Sequence, residues 1–556
     1  MRELPDGLGV SQRRVYLETF GCQMNELDSE LVAGRLASLG YTFTGDAEGA
    51  DVVLYNTCSV REQAEQKVWS RLGDLKKTKA GRPGMVVGVL GCMAERDGAG
   101  LMDRMPVVDL MCGPGELDKL PALIDNAVRT RESLHAETSV RASALQGGTS
   151  RRSGTLAAAS DRLEHLDLSR AVSPIDPVGS ERRSAYVRIT RGCNKFCTYC
   201  VVPHTRGAEI HRPPEHIVDE CKALADKGVL EVTLLGQTVN HYRYEHGAAE
   251  RVDGVLQPQK GRAFRGGHRR DPLSGAGVTT FADLLYRIHE EVPSIRRLRF
   301  VTSYPRDFGD DVLEVIRDCP RICRYLHVPA QSGSDRMLAV MNRGYTVAEY
   351  DEFVDRCRHY LDQPEIGRPL MLSGDIIVGF STETDDDFEA TKRLLERSRY
   401  KNCFIFKYSP RPGTVAYDKI PDDVPDEVKR RRNNELLALQ GTIGEAIGRE
   451  QIGREFDVLV EGPSQKALRA SGLSQRDARQ ASGGVQLTIG GVSSDDAATG
   501  LLDRIETETV QMSGRTDGDQ ILFFEVPTAR ARSMPGEILR ARVTEALGLS
   551  LFGELV

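Results

Sequence analysis

Cys193, Cys197 and Cys200 place three thiols at spacings of four and three within eight residues. The run before them, Tyr186–Thr190, has strand character, and Arg191-Gly192 makes a turn out of it. A loop leaving a strand end can aim three thiolates at one point, and soft thiolate ligands select iron–sulfur clusters, zinc or copper. Three protein ligands leave one metal position open, which suits a catalytic site, whereas structural sites are closed by four. Zinc fingers pair two CxxC knuckles, and no second knuckle lies nearby. The plain alternative, a loop of unrelated cysteines, is disfavoured by the tight spacing.

A second set is spread along the first hundred residues. Arg14–Phe20 alternates like a strand, then come Gly21-Cys22 and a helical run from Asn25 to Leu39. Asp51–Asn56 is followed by Thr57-Cys58 and a helix predicted from Val60 to Lys79, and Met85–Leu90 by Gly91-Cys92 and another helix start. Three times a strand ends, a cysteine appears within two residues and a helix begins. In open α/β sheets ligands gather beyond the carboxyl ends of strands, so Cys22, Cys58 and Cys92 are expected to converge there as a second three-thiolate site. Buried structural thiols are the competing reading. Cys112 follows a fourth strand run and is read as a packing cysteine, as are Cys221, Cys319, Cys323, Cys357 and Cys403.

The chain has 556 residues, 40% of them apolar and 28% charged, as in ordinary globular proteins, and its length predicts two to four domains. The first residues do not resemble a signal peptide, and the longest apolar run, Met85–Ala94, contains two glycines and is too short to span a membrane. Twelve cysteines without an export signal argue for metal or redox work in a reducing compartment. A net charge of −7 neither announces nor excludes nucleic-acid binding, which depends on local patches.

Four segments follow: 12–128 as the first α/β domain, 129–183 as a polar linker, 184–445 as a central domain and 446–553 as a small β-barrel. The central domain alternates strand candidates (Tyr186–Thr190, Glu231–Leu235, Arg297–Thr302, Tyr325–Val328, Asp375–Val378, Cys403–Lys407) with helices at Glu215–Lys227, Phe281–Glu290 and Val347–Leu361. Such alternation implies parallel β/α units. Residues 245–277 interrupt it and are read as a solvated surface insertion, the other reading being phosphate contact through Lys260, Arg262, Arg265, Arg269 and Arg270. In the last domain Glu455–Glu461, Val485–Ile489, Thr507–Met512, Gln520–Glu525 and Glu537–Ala546 are barrel strands, with an insertion at about 463–498. Arg515, Arg530, Arg532, Arg540 and Arg542 supply positive charge for a phosphate backbone, and the run Lys429–Arg432 either adds to it or is, as such runs usually are, a solvated helix face.

The CxxxCxxC loop with Tyr199 before its last cysteine resembles the signature of the radical S-adenosylmethionine superfamily. The resemblance implies a [4Fe–4S] cluster held by Cys193, Cys197 and Cys200, whose unique iron takes the amino and carboxylate groups of S-adenosylmethionine. Reductive cleavage then yields a 5′-deoxyadenosyl radical. Gly21–Asn25, Asn56–Glu62 and Leu90–Glu95 resemble the amino-terminal domain of the methylthiotransferases, which implies a second [4Fe–4S] cluster on Cys22, Cys58 and Cys92. In the same family Gly236 and Gln237 end a strand that binds the methionyl amino group, His327–Ser334 (with Gln331 and Ser332) matches a stretch facing the cofactor, and Gly379 ends a strand near adenine or ribose. Tyr199, Gly236, Gln237, Gln331, Ser332 and Gly379 are thus the expected cofactor contacts. The implied fold is α/β throughout its first two parts: a Rossmann-like methylthiotransferase domain and a partial (β/α)6 radical barrel, with a barrel similar to the TRAM RNA-binding domain at the end.

Gln23-Met24-Asn25, Ser59–Glu62 and Leu234–Asn240 most resemble the branch that acts on isopentenylated adenosine in tRNA. Its sister acts on threonylcarbamoyl-adenosine and would need a basic pocket. A metal-carrying RNA-binding protein without chemistry is the rival from another class. The expected partners are tRNA, through an anticodon-loop adenosine splayed out for reaction, and an electron donor such as a flavodoxin or ferredoxin. No membrane partner is expected, and the chain is read as a cytoplasmic monomer.

Overall fold

The structure, a computed structural model, describes residues 13–59, 62–135, 183–261, 270–271, 275, 277–301, 303–473, 485–488 and 501–556. It divides into two compact units, residues 1–180 with 475–493 and residues 181–474 with 494–556.

The first unit is a parallel sheet. Its strands are β1 (Arg14–Phe20), β2 (Thr42–Phe43), β3 (Val52–Thr57), β4 (Val86–Gly91) and β5 (Leu110–Cys112), ordered β2-β1-β3-β4-β5. Every residue of β3 and β4 is buried. This is the signature of a parallel sheet covered on both faces, and it explains why these runs read as continuous apolar stretches. The connecting helices are α1 (Gln23–Ser38), α2 (Glu62–Gly81), α3 (Cys92–Asp97), α4 (Ala99–Arg104) and α5 (Leu120–His135). Helix α5 carries regular structure seven residues past 128, where the linker was expected to begin, because its apolar face (Leu120, Ile124, Ala127, Val128) packs into the core. The remainder of the expected linker lies outside the described residues.

In the second unit, six parallel strands follow one another: β6 (Ser184–Arg188), then β7 (Thr190–Arg191) and β8 (Ile210–His211) as a side hairpin, and β9 (Glu231–Leu235). Between β10 (Arg243–Glu245) and β14 (Val278–Thr280), which pair with each other, lie β11 (Arg251–Val252), β12 (Val255–Leu256) and β13 (Gln259–Lys260). The barrel continues with β15 (Arg297–Phe300), β16 (Tyr325–His327), β17 (Met371–Val378) and β18 (Asn402–Lys407). Its two halves, β6-β9-β15 and β16-β17-β18, are joined by a parallel bridge between Leu298 and Ile322. Helices at Phe281–Glu291, Val347–Leu361 and Asp385–Ser398 each begin with a Thr-x-x-Asp/Glu capping box, at Thr280, Thr346 and Thr384. Side chain and backbone there satisfy each other's otherwise orphaned donors, which fixes where each helix starts.

The stretch read as a solvated insertion is only partly that. β13 pairs with β8, and the Gly261 carbonyl accepts from Asn194 inside the cysteine loop, so the insertion returns to brace the site. Its apolar content is too low for this to show as periodicity. Arg270 pairs with Glu314, and Arg262, Arg265 and Arg269 lie outside the described residues.

After β18 a helix, Asp426–Arg449, leads to β19 (Glu455–Pro463). The strand that follows, β20 (Val485–Thr488), leaves this unit and pairs in parallel with Leu17–Phe20 of β1. This corrects the assignment of Val485–Ile489 to the last barrel. β2 covers β1 only at Arg14 and Val15, so the rest of that edge needs another partner, and an alternating run carries no record of which edge it joins. The barrel itself closes as β19-β21-β22-β24-β23, from β21 (Thr509–Thr516), β22 (Ile521–Pro527), β23 (Ile538–Leu547) and β24 (Ser550–Leu555). Its fifth strand is thus β24, which follows β23 by a hairpin through Gly548 (φ +58°) and was not anticipated.

The barrel is fastened within its unit by buried charges. The Arg297 guanidinium donates to the carbonyls of Asp457 and Arg515, and that of Arg299 to the carbonyls of Thr516 and Asp517 and to Glu231 at 2.7 Å. Lys401 pairs with Asp519 at 2.8 Å, and Arg515 with Glu461 at 2.6 Å.

Candidate functional site

Register brings the first three cysteines into a row. Phe20 of β1 pairs with Thr57 of β3, and Thr57 with Gly91 of β4, on three adjacent strands. Cys22, Cys58 and Cys92 come two, one and one residues beyond that line, with strands spaced about 4.8 Å apart. A polar knot beneath the row sets its spacing. Asn56 Nδ2 donates to the Asn25 carbonyl (2.8 Å) and to Ser29 Oγ (2.9 Å), and Asn25 Nδ2 donates to Asn56 Oδ1 (3.0 Å). The Cys22 thiol donates to Asn25 Oδ1 at 3.2 Å. Both asparagines are fully buried. Two glycines permit the close approach: a Cβ on Gly21 would lie 2.6 Å from Cys58 Cβ, and one on Gly91 (φ +87°) would lie 2.6 Å from the Thr57 carbonyl oxygen. Cys112, at the end of β5, is buried and donates to the Glu116 carbonyl at 3.2 Å.

The second set sits on the loop leaving β6 and β7. Gly192 (φ +79°) has no room for a side chain, since a Cβ would meet the Ala208 carbonyl at 2.1 Å. The loop is tied on every side. Cys193 N–H donates to the Gly207 carbonyl, Thr198 N–H to that of Met341, Asn342 Nδ2 to that of Phe196, and Ala416 N–H to that of Thr198. Phe196 is held at φ +49°, a conformation uncommon outside glycine, and its ring is 59% exposed.

Beneath the loop runs a chain of buried charges. Lys195 and His241 both contact Asp307, His241 lies 3.4 Å from Glu209, and His211 lies 3.2 Å from the other oxygen of Glu209. Burial works to raise the Glu209 carboxyl, but its hydrogen bonds to His211 and His241 outweigh that and bring it down to about 2. The cysteines shift the other way: burial, then the neighbouring Cys197, pushes the Cys200 thiol up to about 12, and burial raises Cys193. Left alone these thiols keep their protons, and a bound cation is what makes such a group a thiolate. The donor set, three thiols close enough to repel one another as anions beside the buried Arg343 guanidinium 3.5 Å from Cys197 Sγ, fits an anionic iron–sulfur cluster. Among the described residues no three His, Cys, Asp or Glu side chains are drawn together as tightly as a single metal ion needs.

The six expected cofactor contacts lie on this unit, and each has a protein partner. Gln237 Oε1 accepts from Gly192 N–H at 2.6 Å, and Gly236 lets β9 approach Thr190, where a Cβ would lie 2.4 Å from its methyl. Gln331 (φ +71°) bridges to β17 through Asp375 and Ile377, and Ser332 is buried beside Thr391. Gly379 (φ +67°) packs under Lys429 and donates its N–H to Glu383 at 2.6 Å. The Tyr199 ring meets Phe380 edge-on at 6.2 Å. Gln237 and Gly236 therefore hold the cysteine loop to β9.

Sequence reasoning passed over Asn25 and Asn56, although both stand inside the quoted motifs. It also missed the Glu209–His241–Asp307 chain and Arg343, whose loop, Met341–Tyr345, carries no spacing signal. The basic residues expected to meet phosphate are mostly paired. Lys429 contacts Asp422, Arg430 contacts Asp426, and Arg431 and Arg432 contact Asp385. Arg532 contacts Asp503, Arg540 contacts Glu455 and Asp457, and Arg542 contacts Glu455 and Glu554. The exposed pairs among these, on Arg430, Arg431, Arg532, Arg540 and Arg542, are weak enough to exchange a carboxylate for a phosphate, whereas Lys429 and Arg432 are buried and Arg515 is committed inside the unit.

Residues 14–113 match the family described as Uncharacterized protein family UPF0004, and residues 187–395 match the radical SAM superfamily. An open six-stranded parallel barrel with a CxxxCxxC loop at a strand end, inside that second match, defines the class: a radical S-adenosylmethionine enzyme. The tRNA-2-methylthio-N(6)-dimethylallyladenosine synthase of Rhodopirellula baltica is 40% identical, over 98% of this chain and 95% of that protein. Proteins of the same name from Aeromonas salmonicida (37%, 97% of this chain, 99% of that one) and Burkholderia mallei (36%, 98% and 97%) align as completely. The chain belongs to the family of the tRNA-2-methylthio-N(6)-dimethylallyladenosine synthases. Among the described residues no helix is long and apolar enough to cross a membrane.

Proposed function

We propose that the chain places a methylthio group on carbon 2 of N6-dimethylallyladenosine in the tRNA anticodon loop, using two S-adenosylmethionine molecules and two [4Fe–4S] clusters. The observation that carries this reading is the pair of three-cysteine sets, each at the carboxyl ends of parallel strands, in a chain that aligns almost end to end with named synthases. Cys22, Cys58 and Cys92 hold one cluster and Cys193, Cys197 and Cys200 the other, each leaving one iron without a protein ligand. When bound, these groups with S-adenosylmethionine supply hydrogen removal from an unactivated C–H bond and delivery of a methylthio group to the carbon.

The protein's share is positioning and shielding. The Asn25–Asn56 knot spaces one thiol row, and Gln237, Asn342 and the Lys195–Asp307 contact fix the other loop. Tyr199, Gly236, Gln237, Gln331, Ser332 and Gly379 line the cofactor side of the barrel. Exposed apolar side chains on and beside the cysteine loop, Phe196, Val415 and Tyr417, suit a dimethylallyl substituent better than a charged threonylcarbamoyl one. The electron comes from a low-potential flavodoxin or ferredoxin, and the chain works as a cytoplasmic monomer.

The test is nucleoside mass spectrometry on tRNA lacking methylthio groups, after incubation with reconstituted protein, S-adenosylmethionine and reductant. The expected product is 2-methylthio-N6-dimethylallyladenosine, lost on Cys193→Ala or Cys22→Ala. A methylthio group found only on the threonylcarbamoyl nucleoside overturns the substrate assignment, and no product with both clusters loaded overturns the reaction.

A further inference from the structure

Arg343 is 6% exposed, and its guanidinium is fully engaged without meeting an acid. Nη2 donates to the Pro329 carbonyl (3.0 Å), Nε to Tyr345 Oη (3.1 Å), and Nη1 to Tyr199 Oη (3.4 Å) and Cys197 Sγ (3.5 Å). The planes of Tyr304 and Tyr345 flank it, 4.8 and 5.2 Å from ring centre to guanidinium carbon. No carboxylate among the described residues contacts it. Compare Arg299, buried to a similar degree but set against Glu231. A buried guanidinium without a counter-charge is costly. Arg324, also buried without an acid, spends its donors on three carbonyls and Gln363, whereas Arg343 aims one at a ligand sulfur of the cysteine loop. The one neighbouring group able to carry negative charge at neutral pH once metal displaces its proton is Cys197.

We infer that Arg343 is the built-in counter-ion of the cluster on Cys193, Cys197 and Cys200, and that it raises the reduction potential of that cluster. The inference rests on the function proposed above. Reduction adds one electron from the flavodoxin- or ferredoxin-type donor; no bond forms or breaks and no proton is taken up, so the cluster gains one unit of negative charge. A fixed cation with a hydrogen bond to a ligand sulfur favours that reduced form, as hydrogen bonds and net charge around cluster sulfurs generally do. Pro329 and Tyr345 hold the fork still, so the charge is present before the electron arrives. Arg343 is a positioning residue in this scheme and touches no substrate.

The experiment is an anaerobic potentiometric titration of reconstituted holoenzyme, followed by electron paramagnetic resonance, with iron and sulfide counted in each sample. The cluster on Cys22, Cys58 and Cys92 is the internal reference. Arg343→Gln is expected to load and to titrate at a potential lower by about 59 mV or more, a tenfold shift for a one-electron couple. Arg343→Lys keeps the charge and is expected to stay within half that shift. If Arg343→Gln loads and titrates with the parent protein, the assignment is overturned and the proposed function stands. Loading by Arg343→Lys alone supports a requirement for charge, and loss of the cluster from both variants overturns it in favour of a packing role. A parent chain without iron at this loop overturns both proposals together.

Discussion

Gly91→Ala is the sharpest test of how the first cysteine row is made. Gly91 ends β4 at φ +87°, and its missing side chain faces backbone. A Cβ there would stand 2.4 Å from Asn56 Oδ1, 2.6 Å from the Thr57 carbonyl oxygen and 3.0 Å from Asn25 Nδ2. The left-handed conformation costs a non-glycine residue about 1–2 kcal/mol. The contact with a strand oxygen has no flexible end to give way, so β3 and β4 must part or the Asn25–Asn56 bond must break, about 1–3 kcal/mol more for a buried donor left unmet. The sum is roughly 2–5 kcal/mol, a large share of the 5–15 kcal/mol that holds a typical domain. At about 4 °C per kcal/mol for a domain of this size, that lowers the midpoint of unfolding by roughly 8–20 °C. The displaced Cys92 also falls out of register with Cys58, so iron after reconstitution drops from about eight to about four per chain. Differential scanning calorimetry and iron counting read both effects. Gly73→Ala in α2, where no side chain or neighbouring element lies within 4 Å of the added methyl, is the control: it keeps parental iron, and helix propensity raises its stability by up to about 1 kcal/mol. Gly91→Ala with about eight irons and a midpoint within roughly 3 °C of the parent would refute the reasoning.

Three further outcomes can be checked in the same preparations. Cys200→Ala abolishes the modified nucleoside yet retains about four irons, because the row on β1, β3 and β4 belongs to a different unit. Arg299→Ala leaves the buried Glu231 carboxylate short of its closest counter-charge and costs about 3–5 kcal/mol, read as early proteolysis of the carboxyl-terminal barrel. Burial, only partly offset by Asp519, brings Lys401 down to about 8 from its ordinary 10.5. The unfolded chain therefore holds more protons between those values, and this lysine makes stability rise with pH from about 8 to about 10.5. Denaturant titrations should show a shallower rise across that window in Lys401→Met, and an unchanged slope would count against the shift.

The order of strands and helices was legible because periodicity and capping are local. Val347–Leu361 is a helix with the bounds its pattern predicts, fixed by the Thr346–Glu349 box. The two cysteine sets were legible for the same reason, since each cysteine is adjacent in sequence to the strand end that positions it. What escaped was set by partners far away along the chain. β20 reads like any alternating run, and nothing in its residues says that it completes the edge of β1. Arg343 has no motif of its own, because its meaning is the carboxylate it lacks, which only three-dimensional contacts reveal. The arginines of the last barrel were visible as charges, but the acids opposite them, such as Glu455 on β19 against Arg540 and Arg542 on β23, become neighbours only through strand pairing.

β20 also has a consequence in time. Leu17 pairs with Val485, 468 residues later. At the roughly 5–20 residues per second of protein synthesis, about half a minute or more separates the emergence of the two strands. Through that interval the far end of β1 is an open strand edge, the kind of surface that recruits other chains. The domain made first on the ribosome thus waits for an edge strand made after most of the chain has been read. A shortened chain ending before residue 485 would carry all six of these cysteines and still present an uncapped sheet.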